Sequence, residues 1–161
     1  MDDPTPNPLA KHPAFLTVQL GWHITTQFIA ALAPLGIHPR HMGMLSFLLG
    51  RDGASQQQLC DALGIHRNVM VGMVDELEKA GFVERRRHPA DRRAHAVHLL
   101  AAGREMQRKA EETLSRMEDG IFGSLTAAER AAYLATLQQL AADAGLSPGI
   151  HPALRDSLPG S

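Results

Sequence analysis

Apolar residues recur along this chain first at helical spacing, then briefly at strand spacing, then at helical spacing again. Between residues 13 and 33, at about 100° per residue, Phe15, Val18, Trp22 and Ile29 form one apolar stripe. Leu16, Leu20, Ile24, Phe28 and Leu32 form a second, broader one, with Gln19, His23 and Thr26 between the two. A helix apolar on two sides is expected to be buried on two sides, against its own domain and against a second subunit. Pro34 to Pro39 breaks it, and Pro39 suits the first turn of another helix that runs to about Leu49. Ser55 and Gln58 have capping-box spacing and open a short helix, 56–63, that buries Leu59, Ala62 and Leu63. Gly64 and Ile65 make a tight turn, and a helix over about 66–80 buries Met70, Met73, Val74 and Leu77 before Gly81 closes it.

The period then changes. Phe82 to Arg85 and Ala94 to Leu99 read as strands, and Pro89, Ala90 and Asp91 must turn between them. From Ala101 the helical period returns, with Met106, Ala110, Leu114, Met117 and Ile121 on one stripe. Thr126 and Glu129 form a second capping box ahead of Tyr133, Leu134, Leu137 and Leu140. The expected organisation is a flexible arm (1–12), a dimerisation helix (13–35), a helix-turn-helix with a wing (36–100), C-terminal dimerisation helices (101–145) and a mobile tail (146–161). The fold class is mainly α with a small β-hairpin wing, a winged helix-turn-helix.

Composition narrows the class. The 161 residues suit one domain, and 44% apolar but 4% aromatic content predicts an aliphatic core. A single cysteine, Cys60, excludes an intramolecular disulfide. Met1 to Pro8 lacks a basic n-region and an apolar h-region, and no apolar run is long enough for a bilayer. The expectation is a cytoplasmic protein with no membrane partner. Net charge is −1, yet Lys79 to Arg93 carries six basic residues and two acids, so this stretch is +4 and the rest of the chain −5. A basic patch on an acidic body suits a protein that docks on DNA by one face.

Two short helices joined through a glycine form a helix-turn-helix, whose second helix can enter the major groove by its N-terminal end. That end carries His66, Arg67, Asn68 and Val69, with Gly72 one turn on. Arginine can pair with guanine N7 and O6, and asparagine with adenine N6 and N7. The hairpin tip that follows holds five arginines in nine residues, Arg85 to Arg93, with Asp91 the sole acid. Arg87, Arg92 and Arg93 are expected at DNA. Arg85 and Arg86 read as general phosphate contacts or solvent-facing residues.

The run from Ser55 to Ile65, the run from Val74 to Arg85, and Asp91-Arg92-Arg93-Ala94-His95-Ala96-Val97-His98-Leu99 together resemble the MarR family of bacterial transcription regulators. The wing matches the family pattern at Asp91, Arg93, Val97 and Leu99. The resemblance implies a dimer whose terminal helices interlock, Arg93 in the minor groove and Asp91 holding the wing. Two positions depart from the pattern. Leu100 stands where the family often has a capping threonine, and His66 where the recognition helix often begins with serine or aspartate.

Other residues carry weaker signals. His38 and His41 are spaced i, i+3, but no CxxC or HExxH pattern accompanies the nine histidines, and no metal or other cofactor is expected. Cys60 reads as a packed thiol inside the helix-turn-helix rather than a redox sensor. In the family, aromatic acids bind between the first helices and the DNA-binding lobe. Trp22, with Gln19, His23 and Thr26, is the candidate wall of such an effector pocket, and Arg40 and His41 the candidate partners of its anionic group. The leading expectation is a homodimeric, ligand-responsive repressor on a palindromic double-stranded operator. The alternative is a winged-helix protein–protein interaction module without salt-dependent DNA affinity. No catalytic constellation supports an enzyme.

Overall fold

In a computed structural model of the chain, residues 7–87, 95–146 and 149 are described. The elements run α1 (Pro13–Leu32), α2 (Pro39–Gly50), β1 (Ala54–Ser55), α3 (Gln56–Leu63), α4 (Arg67–Lys79), β2 (Val83–Arg87), β3 (His95–Leu99), α5 (Ala101–Ile121) and α6 (Ala127–Asp143). The flexible arm expected at 1–12 carries an exposed 3-10 turn, Pro8–Lys11, capped by the Asn7 side chain, while residues 1–6 lie outside the description. The expected tail, apart from Leu146 and Gly149, lies outside it too.

Both capping boxes form, Ser55 with Gln58 and Thr126 with Glu129. A third was not anticipated. His38 caps α2 through Nδ1, and His41 Nδ1 accepts the His38 backbone N–H at 3.2 Å. The i, i+3 histidine spacing is therefore helix-capping chemistry. Gly64 (φ 65°) and Gly81 (φ 74°) end α3 and α4 in the left-handed conformation that favours glycine.

The main core joins Met44, Leu45 and Leu48 of α2, Leu59 and Leu63 of α3, Met70, Met73, Val74 and Leu77 of α4, and Val83, Val97 and Leu99 of the sheet. A smaller cluster of Leu32, Ile37, Met42 and Ala110 ties α1 and α2 to α5. Phe82 and Met106 pack against both. The sheet has three strands in the order β1-β3-β2, all antiparallel. The two-residue β1 had no signal in the apolar pattern, being too short to show a period. It places Ala54 opposite Val97.

The second stripe of α1 faces this chain: Leu20, Ile24 and Phe28 are half-buried and Leu32 is fully buried. The other stripe is exposed, with Val18 at 71% and Trp22 at 77%. No residue of α6 is buried.

Leu100 heads α5 without a side-chain cap. Its backbone N–H instead donates to the Phe82 carbonyl at 2.9 Å. The wing root thus orients the start of α5, and Gly103 sits against it. A Cβ at Gly103 would lie 2.2 Å from the Phe82 oxygen and 2.7 Å from Leu99 Cδ1. Alanine normally favours a helix over glycine by about 1 kcal/mol. Here Gly103→Ala should destabilise the protein by about 2–4 kcal/mol, because a backbone oxygen cannot yield. Thermal denaturation checks this, and an unchanged or raised Tm would contradict it.

Candidate nucleic-acid interface

The helix-turn-helix is α3, Gly64 and α4. His66 is the N-cap of α4, but its Nδ1 lies 3.5 Å from the Asn68 N–H, a long and weak cap. His66, Arg67 and Asn68 are exposed at the helix start. Val69 is not. It is half-buried and packs against the main core, one position from Met70. Val71, 40% exposed, lies beside Arg67 and Asn68. Helical projection alone separates the two valines: 67, 68 and 71 share one face, and 70, 73, 74 and 77 share another.

The C-terminal half of α4 carries Asp75, Glu76 and Glu78, charges that would repel a phosphate backbone. Each is tied to a cation. Arg85 Nη1 lies 2.6 Å from Glu78, its Nη2 pairs with Asp75, and its backbone N–H donates to Glu78 Oε1 at 2.8 Å. Arg85 shares the face of β2 occupied by Val83, because strand side chains alternate and both point toward α4. It is an internal clamp, not the phosphate contact or solvent-facing residue expected from the sequence. Arg86, on the opposite face, pairs with Glu84. Arg87 is exposed at the outer end of β2. Asp91, Arg92 and Arg93 lie outside the described residues.

On the far side of α4, Arg40 Nη2 holds both oxygens of Glu76 at 2.9 and 3.2 Å. His41 Nε2 meets the same carboxylate at 2.7 Å. Because His41 Nδ1 accepts from the His38 amide, the hydrogen of the neutral ring sits on Nε2 and is donated to Glu76. Burial alone would push the Glu76 carboxyl up, but the hydrogen bond from His41 and the charge of Arg40 more than reverse this and hold it below the usual carboxylate range.

Along α1, an open concavity is lined by Leu16, Gln19, Leu20, Trp22, His23 and Thr26. Gln19, Trp22, His23 and Thr26 are therefore brought together, whereas Arg40 and His41 are engaged at Glu76 and do not line this surface. Thr26 Oγ1 donates to the Trp22 carbonyl at 2.9 Å, so its proton is committed to its own helix. Cys60 is buried in the core, where burial pushes its thiol pKa up, as expected for a packed thiol. Among the described residues no group of histidine, cysteine and carboxylate side chains could hold a metal ion. No single described helix is long and apolar enough to cross a membrane.

Residues 35–94 match the family model for the MarR family. The whole fold aligns with CouR of Rhodococcus jostii, solved on a 23-mer DNA duplex, at TM-score 0.76 and 28% identity, over 87% of this chain and 99% of that one. In this stretch and in its fold the chain is similar to MarR-family regulators. A Thauera aromatica protein named for regulation of the hcr operon is 28% identical over 76% of this chain and 78% of its own length. An HTH-type transcriptional repressor of Mycobacterium tuberculosis is 26% identical over 80% of this chain and 93% of its own.

Three features of this chain were not anticipated from its sequence. Val71 was legible by projection. The Glu76 pairing was not, since Arg40 and Glu76 are 36 residues apart. Nor was the role of Asp52, whose Oδ1 accepts the Leu99 N–H at 2.7 Å and anchors the end of β3.

His41 has a pH consequence. Burial, reinforced by the charge of Arg40, lowers its pKa below the ordinary 6.5 and outweighs the raising pull of Glu76. The folded state then takes the proton less readily than the unfolded chain. Stability should fall as pH drops through about 6.5 and keep falling until the folded pKa is reached. Urea denaturation at about pH 7.5 and pH 5.5 should show wild type losing more stability than His41→Gln. Equal losses would contradict the assignment.

Proposed function

We propose that this protein is a DNA-binding transcriptional regulator of the MarR family that acts in the cytoplasm as a homodimeric repressor released by a small-molecule effector. The observation that carries the reading is the exposed face of α4, where Arg67, Asn68 and Val71 project beside a hairpin whose outer residues are basic. Each subunit places α4 in a major groove, with Arg67 and Asn68 reading bases and His66 beside the backbone. Arg87, Arg92 and Arg93 serve the wing. Arg93 enters the adjacent minor groove, where a focused negative potential favours arginine, and Asp91 holds the wing in shape.

Two features support a dimer: the uncovered stripe of α1 and the uncovered apolar residues Leu134, Leu137 and Leu140 of α6. Two-fold symmetry then requires a roughly palindromic operator with half-sites about one helical turn apart. The effector is an aromatic or anionic small molecule at Trp22, Gln19, His23 and Thr26. CouR has also been solved with p-coumaroyl-CoA, an aromatic thioester, which supports this class of ligand.

Selection from a random duplex pool tests the reading. Wild type should enrich a palindrome and bind it with strongly salt-dependent affinity. Arg67→Ala and Asn68→Ala should each cost about 1–3 kcal/mol and relax the preference at one base position. Arg93→Ala should weaken binding while leaving the selected major-groove bases unchanged. Absence of salt-dependent duplex binding by wild type would instead favour an interaction module.

A further inference from the structure

We propose that Arg40 and His41 are positioning residues for the recognition helix, acting through Glu76. This rests on the reading of α4 as that helix. At about 100° per residue, Glu76 lies roughly 130° around the helix from the midpoint of Asp75 and Glu78. Arg85 grips Asp75 and Glu78 from β2, while Arg40 and His41 grip Glu76 from the first turn of α2. Two independent sets of ion pairs, on different sides of one helix, fix its roll about its own axis.

The core does not fix roll to this precision. The side chains packed under α4 are Met70, Met73, Val74 and Leu77, and the methionines are unbranched and adaptable. With a helix about 10–12 Å in diameter, a roll of about 10° moves a side-chain tip by about 1 Å. That is enough to spoil a bidentate hydrogen bond to a base.

Glu76 is held by two side chains of α2 at once. Arg40 presents Nη2 to both carboxylate oxygens, and His41, with its ring only 12% exposed, donates from Nε2. The His41 ring is itself fixed by the His38 amide within the α2 cap. The chain from the α2 cap to the recognition helix is therefore continuous and rigid. Both Arg40 and Glu76 lie off the Arg67, Asn68 and Val71 face, so neither is needed there as a base contact.

The test uses the full-length protein and the duplex that wild type enriches, with an unrelated duplex as the non-specific reference. Arg40→Gln and Glu76→Gln should each weaken binding to the enriched duplex about 10-fold and leave non-specific binding unchanged. The salt dependence of both should stay as in wild type, because no phosphate contact is lost. The double variant should be no weaker than the weaker single variant, since both remove one interaction. Arg40→Lys, which keeps the charge and one donor nitrogen on a shorter, differently shaped side chain, should recover part of the loss.

A salt slope reduced by about 1 for Arg40→Gln alone would make Arg40 a phosphate contact and overturn the proposal. So would additive losses, or equal losses on both duplexes, which mark a purely stabilising pair. Failure of wild type itself to prefer any duplex would overturn the DNA-binding reading, and this assignment with it. Discriminating wild type beside unaffected variants would overturn the positioning role alone.

Discussion

The backbone of Phe82 is the point on which the whole arrangement turns. Its N–H donates to the Leu77 carbonyl and closes the end of α4, while its carbonyl receives the Leu100 N–H at the start of α5. Its ring packs against both hydrophobic clusters. Gly103 lets α5 lie directly on that carbonyl, at a distance no side chain could share. One residue thus joins the recognition helix, the wing root and the long helix that leaves the DNA-binding lobe. Only Leu100 lies between β3 and α5.

Charge on this lobe follows from that arrangement. Ion pairs with exposed partners contribute little to stability, typically under about 1 kcal/mol each. Their value here is geometric. Arg85 reaches Asp75, Glu78 and the Val71 carbonyl, so a single guanidinium sets the angle between β2 and α4. The same contacts neutralise acids that would otherwise oppose a phosphate backbone. The +4 stretch that marks this region in the sequence is accordingly not all available to DNA: Arg85 is consumed internally and Arg86 by Glu84. Among the described residues of this stretch, Arg87 is exposed and carries no ion pair with a described acid of this lobe.

What the sequence made legible is what depends on near neighbours. Capping boxes at Ser55 and Thr126, the left-handed glycines 64 and 81, and the core stripe of α4 each involve residues within a few positions of one another. The winged helix-turn-helix follows from their order. Contacts that bridge distant segments were not legible. Arg40 with His41 at Glu76, and Asp52 at the Leu99 N–H, arise from packing and leave no periodic trace. Side-chain direction was less legible than position. In a helix adjacent residues point about 100° apart, so Val69 packs against the core while Arg67 and Asn68 are exposed. Strand alternation puts Arg85 beside Val83 rather than Arg86.

The outward stripe of α1 links assembly to sensing. Phe15, Val18, Trp22 and Ile29 are exposed in the single chain, a row of large apolar groups that water-facing surfaces rarely carry unpaired. Trp22 belongs both to that row and to the concavity with Gln19 and His23. In the dimer proposed above, whatever fills the concavity also meets the partner subunit. To shift the population, an effector there must bind dimers of different lobe spacing unequally. The far end of α1 is fixed by Leu32 in the cluster with Ile37 and Met42, immediately before and within α2. The same α2 meets α4 through Arg40 and His41 at Glu76.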